Sequence, residues 1–293
     1  MEKVRYKSDS LLMLTALIWG SAFVAQRVGM NYVGPLTFNG VRFALGALVL
    51  LPLMRWRNQY TRSKDRTHQT NVAWHGLWGG GLAGLMLFSG ATLQQVGLVY
   101  TTAGKAGFIT GLYVIIVPMM GWFLGHRPGW GGWVGAFLAG IGLYLLSVIG
   151  AWTFAPGDIW ELFGAFFWAA HVLILSWLSP RMDRIKLAFT QYVVCSVLSL
   201  LVAGFTEMIT LHGIESAVIP ILYGGILSVG IAYTLQVVAQ RYAPPTHVAI
   251  ILSLEAVFAA LAGWIILGET LSLRGLIGCA FMFAGMLSAL LWS

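Results

Sequence analysis

An acidic side chain inside a long apolar stretch is the first feature of this sequence that could do chemistry. Glu255 lies between the charge-free runs 242–254 and 256–268, and Ser253 comes two residues before it. A charge inside a membrane span costs roughly 2.5–3.5 kcal/mol on insertion scales, so such a residue is a candidate functional site. The carboxyl group could exchange a proton or bind an amine; the alternative is a neutral acid hydrogen-bonded to a neighbouring helix. We predict substrate contacts at Ser253 and Glu255, and a coupling role for Glu255.

A basic residue in a second apolar stretch could recognise a carboxylate. Asn39 and Arg42 are three residues apart and share one helix face. Arg42 could hold a substrate carboxylate with two parallel hydrogen bonds, or it could reach outward to the lipid headgroups. Gln191 takes the place of Arg42 in the internal repeat described below, and it is uncharged but able to bind a ligand. All three are predicted substrate contacts.

Aromatic side chains supply a third kind of chemistry. Trp19 and Trp168 hold equivalent places in the internal repeat, and they could stack on a planar substrate or simply fill volume. Phe23 is included with them as a predicted substrate contact. His171 lies three residues after Trp168, so the two share a face. A lone buried histidine is more often structural, and lining of a cavity is the functional alternative.

Polar residues near the ends of segments suggest gates and interhelical contacts. Lys105 and His247 are equivalent positions at the starts of the fourth and ninth segments, on opposite sides of the membrane. They either anchor helix ends or gate a pathway. Gln94 and Gln236 are also equivalent, and we expect them to form hydrogen bonds between helices.

The composition defines the kind of protein that must position these residues. Of the 293 residues, 9% are charged and 58% are hydrophobic, and the mean hydropathy is +0.81. A soluble domain has about 25% charged residues, so this chain lacks the polar surface of a water-soluble globule. The apolar content excludes a disordered chain, and two cysteines exclude a disulfide scaffold. Long apolar runs favour an all-α integral membrane protein over a β-barrel.

Ten apolar segments follow when the chain is divided at its turn signals. A helix needs about 20 apolar residues to cross the hydrocarbon layer, and proline and glycine mark the turns between such helices. The predicted spans are 10–29, 35–55, 73–98, 104–124, 130–150, 158–178, 187–207, 215–240, 246–267 and 272–292.

The basic residues predict the orientation of these spans. With a cytoplasmic N-terminus, 13 of the 17 Lys and Arg residues fall on the inner side, as the positive-inside rule requires. The outer loops then hold the acids Asp158, Glu161, Glu207, Glu215 and Glu269, with Arg274 as the main exception. Both termini are predicted to be cytoplasmic. The net charge of +7 is therefore explained by topology without nucleic acid binding.

Self-comparison reveals an internal repeat. At an offset of 142, residues 92–122 have nine identities with residues 234–264, including the Thr-Leu-Gln triplets and the Gly-Trp pairs. At an offset of 149, Ala16–Trp19 falls on Ala165–Trp168. The chain is therefore predicted to form one membrane domain of two five-helix repeats, 1–150 and 151–293. Because five is odd, the second repeat is inverted, which is characteristic of secondary transporters with alternating access. The alternative is an old duplication that is kept only for packing.

These features resemble the EamA family of the drug/metabolite transporter superfamily. Each repeat begins with a Trp-centred helix, at Trp19 and Trp168, and closes its fourth helix on Leu-Gly, at 124–125 and 267–268. The stretch Ser253-Leu254-Glu255-Ala256 resembles the family's serine-leucine-glutamate-proline motif, with Ala256 where proline is common, so the motif itself does not predict a kink here. Pro118 resembles the proline of the first repeat. The overall pattern is similar to exporters of the YddG type, and this similarity implies export of aromatic and other neutral amino acids.

The predicted function is therefore that of a secondary transporter in the inner membrane. Its substrate is expected to be an aromatic or neutral amino acid; drugs, nucleobases or sugars are the alternatives within the superfamily. A membrane-embedded lipid-modifying enzyme is a remote alternative, because the acids are scattered and no phosphate loop, HExxH or nucleophile elbow is present. We expect no cofactor or metal, and coupling to protons is left open. The expected partners are the lipid bilayer and a small-molecule substrate. The chain is expected to be a monomer or a weak homo-oligomer.

Overall fold

The computed structural model describes residues 2–61, 69–100, 103–147, 156–267 and 272–292, without the side chains of 2–5, 58–61, 69–77, 103–105, 147, 263, 266 and 267. These residues form fourteen α-helices and one π-helix, and they contain no strand. The helices are α1 (Glu2–Gly29), α2 (Pro35–Thr61), α3 (Gln69–Tyr100), α4 (Ala103–Gly111), α5 (Tyr113–Phe123), α6 (Trp130–Ser147), α7 (Pro156–Leu178), α8 (Arg184–Thr206), α9 (Leu211–Ser216), α10 (Val218–Leu222), π1 (Tyr223–Tyr233), α11 (Thr234–Ala239), α12 (Pro245–Leu252), α13 (Glu255–Leu267) and α14 (Leu273–Leu291).

The all-α membrane fold predicted from the sequence is confirmed. Within the described ranges, nine helical stretches are long and apolar enough to cross a bilayer, and the shorter apolar helix Trp130–Leu146 corresponds to the fifth predicted span, 130–150. Most boundaries fall close to the prediction, but α1 and α2 extend further into the polar ends of their segments. The predicted division between residues 150 and 151 lies outside the described residues and stays a prediction.

The fourth and ninth predicted spans are each broken near the middle. The fourth is divided into α4 and α5 at Leu112, and the ninth into α12 and α13 at residues 253–254. At each break a leucine amide donates to the isoleucine three residues earlier, with 3.2 Å between the atoms: Leu112 to Ile109 and Leu254 to Ile251. These isoleucines and leucines are repeat equivalents. Neither break has a proline at the break itself. The ninth span is therefore broken even though position 256 holds alanine where the family commonly has proline.

The eighth predicted span contains a full π-helical stretch. Residues 223–233 form π1 between the short helices α10 and α11. Glycines make room for the neighbouring α2, since a Cβ atom on Gly225 would lie 2.6 Å from the side chain of Leu45. A wider turn changes which residues face the interior, and π-helical segments are frequent at functional sites.

The last helices of the two repeats cross through glycines in a symmetric manner. A Cβ atom on Gly142 of α6 would lie 2.5 Å from the carbonyl oxygen of Gly278 in α14, and one on Gly135 would lie 2.7 Å from that of Gly285. Gly135 is the repeat equivalent of Gly278, and Gly142 is that of Gly285. The pairing is therefore antiparallel, as an inverted repeat requires, and only glycine permits backbones to approach this closely.

The structure corrects the prediction that Asp158 and Glu161 lie in an outer loop. Both belong to α7, and their side chains are 1% and 0% exposed. The positive-inside pattern counts residues along the chain but does not report their burial, and both acids already fall within the predicted span 158–178. Glu207, by contrast, follows α8 and caps α2, where its carboxylate accepts from the amides of Leu36 and Thr37.

Candidate functional site

A cavity lies between the two repeats and is lined by residues of both. Its wall combines charged, amide and aromatic side chains from α1, α2, α3, α5, α7, π1, α11 and α13. The principal wall residues are Trp19, Phe23, Arg42, Gln94, Tyr113, Trp168, Tyr233, Gln236 and Glu255.

Glu255 is placed at the cavity wall by the break in the ninth span. It is the first residue of α13, and its carboxylate oxygen Oε1 accepts a hydrogen bond of 3.1 Å from the Tyr113 hydroxyl. Tyr113 is itself the first residue of α5, directly after the equivalent break. The two breaks therefore bring one donor and one acceptor together at the interface of the repeats.

Arg42 is the cationic group of the cavity. It lies two turns into α2 and is only 2% exposed, and its guanidinium carbon is 5.1 Å from the centre of the Phe43 ring and 5.4 Å from that of Phe38. Its Nε atom has no hydrogen-bond partner, and the ion pairs among the described residues do not include it. A buried guanidinium that faces a cavity without an acidic partner is suited to binding an anion.

The aromatic side chains form a continuous cluster around Tyr233. The Trp19 ring centre is 4.4 Å from that of Tyr233, and the Trp168 ring is stacked on Tyr233 at 6.1 Å. Behind them, Phe43 lies 5.8 Å from Tyr233. Aromatic faces at these separations attract one another and offer a flat surface to a planar ligand.

The two repeat-related tryptophans are bonded differently. The Trp168 indole donates to the side-chain oxygen of Gln94 at 3.0 Å, whereas the Trp19 indole donates to the backbone oxygen of Ser228 in π1 at 3.4 Å. Gln236, the equivalent of Gln94, lines the cavity, and its side-chain oxygen has no partner in the structure. The expected interhelical bond is therefore observed for Gln94, while Gln236 retains an acceptor for a ligand.

Four of the predicted substrate contacts pack behind the wall. His171 and Gln191 bond each other at 3.0 Å, Asn39 donates to the backbone oxygen of Ala91, and Ser253 donates to that of Ile250. None of the four is among the residues that line the cavity. The predicted substrate contacts that the structure brings to one cavity are Trp19, Phe23, Arg42, Trp168 and Glu255.

His247, one of the predicted gating residues, lies away from the cavity. His247 is buried at the start of α12 and pairs with Asp9 of α1 at 2.7 Å. In the same half of α1, the Ser8 hydroxyl donates to the backbone oxygen of Ala239 and that of Thr15 donates to Ala232. These contacts hold the N-terminal half of α1 against the second repeat. The side chain of Lys105 lies outside the described residues.

Several wall residues were not predicted from the sequence. Tyr113 is the repeat equivalent of Glu255 at the offset of 142, so comparison of the acid with its partner position would have identified it. Tyr233 has no such signal, because its equivalent is Ala91. Gln26 and Thr110 also line the wall, and both are uncharged polar residues. The described residues hold no group of three or more potential metal ligands.

Comparison with known proteins agrees with the internal repeat of the chain. The model of the EamA-like transporter family matches residues 7–148 and again residues 155–291, so the same family pattern occurs twice along the chain. The chain belongs to the EamA-like transporter family.

Relatives of this chain occur in distant organisms. An uncharacterized transporter of Archaeoglobus fulgidus is 35% identical over 274 residues, which is 92% of this chain and 80% of the relative. A WAT1-related chloroplastic protein of Arabidopsis thaliana is 24% identical over 92% of this chain and 66% of its own. A crystal structure superimposes with a TM-score of 0.77 at 19% identity and covers 96% of both chains, which shows a shared fold. An EamA-like membrane transporter of small solutes is thus the supported assignment.

Proposed function

We propose that this EamA-like transporter exports aromatic and other neutral amino acids by alternating access between its two repeats. The observation that carries the proposal is that Arg42 and Glu255 line the same cavity. A neutral amino acid carries one carboxylate and one ammonium group. The guanidinium of Arg42 suits the carboxylate and the carboxylate of Glu255 suits the ammonium group, so the cavity matches both charges.

The aromatic wall supports a planar side chain on the substrate. The ring centres of Trp19 and Trp168 lie 4.4 Å and 6.1 Å from that of Tyr233, and Phe23 extends the apolar surface. A phenyl or indole group bound there exchanges water contacts for aromatic contacts, each pair contributing about 0.5–1.5 kcal/mol beyond area burial. A drug, nucleobase or sugar would use the same surface but would leave at least one of the two charged groups unpaired, which is costly in a buried site.

The broken helices support movement at this site. Tyr113 and Glu255 each begin a half-helix at the interface of the repeats, so rotation of one repeat against the other changes the distance between them. Discontinuous helices at the centre of a transporter expose backbone and side-chain groups to the substrate without exposing them to lipid. The Asp9–His247 pair closes the other end of α1 in the present state, and its opening is the proposed gate.

Counterflow in proteoliposomes tests the substrate assignment. Purified protein is reconstituted with unlabelled phenylalanine or tryptophan inside, and uptake of the labelled amino acid is followed. Saturable uptake that is lost in Glu255→Gln and Trp168→Ala supports the proposal, while Glu215→Gln serves as the control because that acid is exposed on α9. Failure of every amino acid to compete at millimolar concentration, with competition by a drug, nucleobase or sugar, would overturn it.

Residence in the plasma membrane with both termini in the cytoplasm completes the proposal. The supporting observation is the inward bias of 13 among 17 basic residues. Reporter fusions after Ser293 distinguish the two orientations, since alkaline phosphatase is active only outside and a fluorescent protein only inside. An active phosphatase fusion would contradict the orientation.

A further inference from the structure

Glu161 is a buried acid that the proposed substrate site does not use. Its side chain is fully buried in α7, and its oxygen Oε2 accepts a hydrogen bond of 2.7 Å from the Thr110 hydroxyl of α4. The second oxygen, Oε1, has no hydrogen-bond partner. A Cβ atom on Gly97 of α3 would lie 2.7 Å from this oxygen, so the glycine provides the space that the carboxyl group occupies.

No described cation neutralises this carboxyl group, since the ion pairs among the described side chains are Arg57–Asp183 and Asp9–His247. The helices packed most extensively on α7 are α3, α4, α5 and α12, and the titratable side chains described on them are Tyr100, Tyr113 and His247. Tyr113 is bonded to Glu255, His247 is bonded to Asp9, and Tyr100 is exposed. The side chain of Lys105 in α4 lies outside the described residues.

Asp158, one turn before Glu161 on α7, is a second buried acid. A buried carboxylate is stabilised either by a cationic partner or by a bound proton. Without a described cation at Glu161, the surroundings leave the proton as the natural ligand.

The Thr110 hydroxyl connects Glu161 to the cavity. Thr110 lies on the cavity wall and is also the donor to Glu161. A hydroxyl group has a single hydrogen to donate, so while it donates to a carboxylate it cannot donate into the cavity. When a proton binds Oε2, the acid can donate to the Thr110 oxygen instead, and the hydroxyl hydrogen is released toward the cavity.

We propose that Glu161 is a proton-binding site that couples substrate export to proton entry through the Thr110 hydroxyl. One proton from the aqueous phase binds the carboxylate, the Thr110 hydrogen turns toward the cavity, and loss of the proton reverses both steps. The coupling part of this proposal rests on the proposed transport function, whereas binding of the proton to Glu161 does not.

Infrared difference spectroscopy across a pH step tests proton binding without any substrate. The reconstituted wild-type protein should show a carbonyl band of a protonated carboxylic acid that is absent in Glu161→Gln and present in Glu255→Gln and Glu215→Gln. Thr110→Val should shift this band without removing it, because the acid is retained and its hydrogen bond is lost. A difference spectrum that is unchanged in Glu161→Gln would overturn the site.

Transport driven by a pH gradient tests the coupling. In wild-type proteoliposomes an imposed pH gradient should raise amino-acid accumulation several-fold. Glu161→Gln should abolish that rise. Counterflow should continue in this variant, because it needs no net proton movement. Three outcomes would overturn the coupling. The pH gradient could still drive accumulation in Glu161→Gln, the wild-type flux could be independent of the pH gradient, or a sodium gradient could drive the flux. If no amino acid shows counterflow, the proposed substrate fails, and the infrared result still decides whether Glu161 binds the proton.

Discussion

The Tyr113 hydroxyl donates a 3.1 Å hydrogen bond to Glu255, and the two residues occupy the same position of the two repeats, 142 residues apart. Each is the first residue after the break in its span. Two identical repeats would bring two like groups together at this point. Divergence has instead produced a donor and an acceptor, and a substrate ammonium group that binds Glu255 must compete with Tyr113.

Removal of that competitor should strengthen binding of the substrate. Tyr113→Phe keeps the ring but deletes the hydroxyl, so the Glu255 carboxylate loses a hydrogen bond worth about 1.5–3 kcal/mol, part of which the substrate regains. We expect the half-saturating concentration in counterflow to fall about 3–10-fold, while Glu255→Gln raises it more than about 10-fold. A weaker affinity in Tyr113→Phe would show that the hydroxyl contacts the substrate directly.

Replacement of Arg42 should show that the site requires a planar guanidinium. Arg42→Lys retains the charge but cannot form two parallel hydrogen bonds, and Arg42→Met removes the charge from a buried position. We expect the half-saturating concentration to rise about 10-fold in the first variant and saturable uptake to be lost in the second. Arg27→Met, at an exposed position of α1, is the matched control. Equal activity of Arg42→Met and the control would contradict the role of Arg42.

The number of spans and the repeat could be predicted from the sequence because lipid imposes simple rules. A span must be long and apolar, and inverted repeats preserve identities such as Ile109 with Ile251 and Leu112 with Leu254. Arg42, Trp19, Trp168 and Glu255 were also identified, because charged and large aromatic residues are conspicuous in apolar segments. The structure places these four in one cavity.

Other features depend on packing that no local pattern encodes. The breaks at Leu112 and at residues 253–254 lack a proline at the break, and the π-helical turn of residues 223–233 has no unique signature. His171 and Gln191 look like ligands on a helix face, but they bond each other at 3.0 Å and do not line the cavity. Glu161 was assigned to a loop because its distance from the span boundary is short, and only the positions of Gly97 and Thr110 show that it is buried.

The indole hydrogen of Trp168 should matter separately from its ring. Trp168→Phe keeps an aromatic face near Tyr233 but removes the donor to Gln94, which leaves the amide oxygen without its partner. The loss of such a buried bond costs about 1–3 kcal/mol, so we expect the affinity for tryptophan to fall about 10-fold in equilibrium binding. Gln94→Glu should restore no activity to Trp168→Phe. Unchanged affinity in Trp168→Phe would indicate that the ring alone is needed.

The carboxylate of Glu207 should stabilise the start of α2. It accepts from the amides of Leu36 and Thr37 at 2.8 Å each and from the Thr37 hydroxyl at 2.6 Å, so it caps a helix of another span. Caps of this kind contribute about 0.5–2 kcal/mol. Glu207→Ala should lower the thermal unfolding temperature in detergent by several degrees, and Glu215→Ala should not, because Glu215 is exposed. Equal unfolding temperatures would show that the cap adds no stability.

The close crossing of α1 and α13 at Gly20 should set the position of Glu255. A Cβ atom on Gly20 would lie 2.6 Å from both the Glu255 carbonyl oxygen and the Phe258 Cβ atom, and these are rigid groups that cannot rotate away. Gly20→Ala must therefore push α13 outward and carry Glu255 away from Trp19, although alanine is intrinsically the better helix former by about 1 kcal/mol. Gly204→Ala in α8 is the matched control, because nothing lies within 4 Å of its added methyl group. We expect Gly20→Ala to lose counterflow and to unfold at a lower temperature, while Gly204→Ala transports normally and is as stable as the wild type. Normal transport by Gly20→Ala would show that the position of α13 does not depend on this contact.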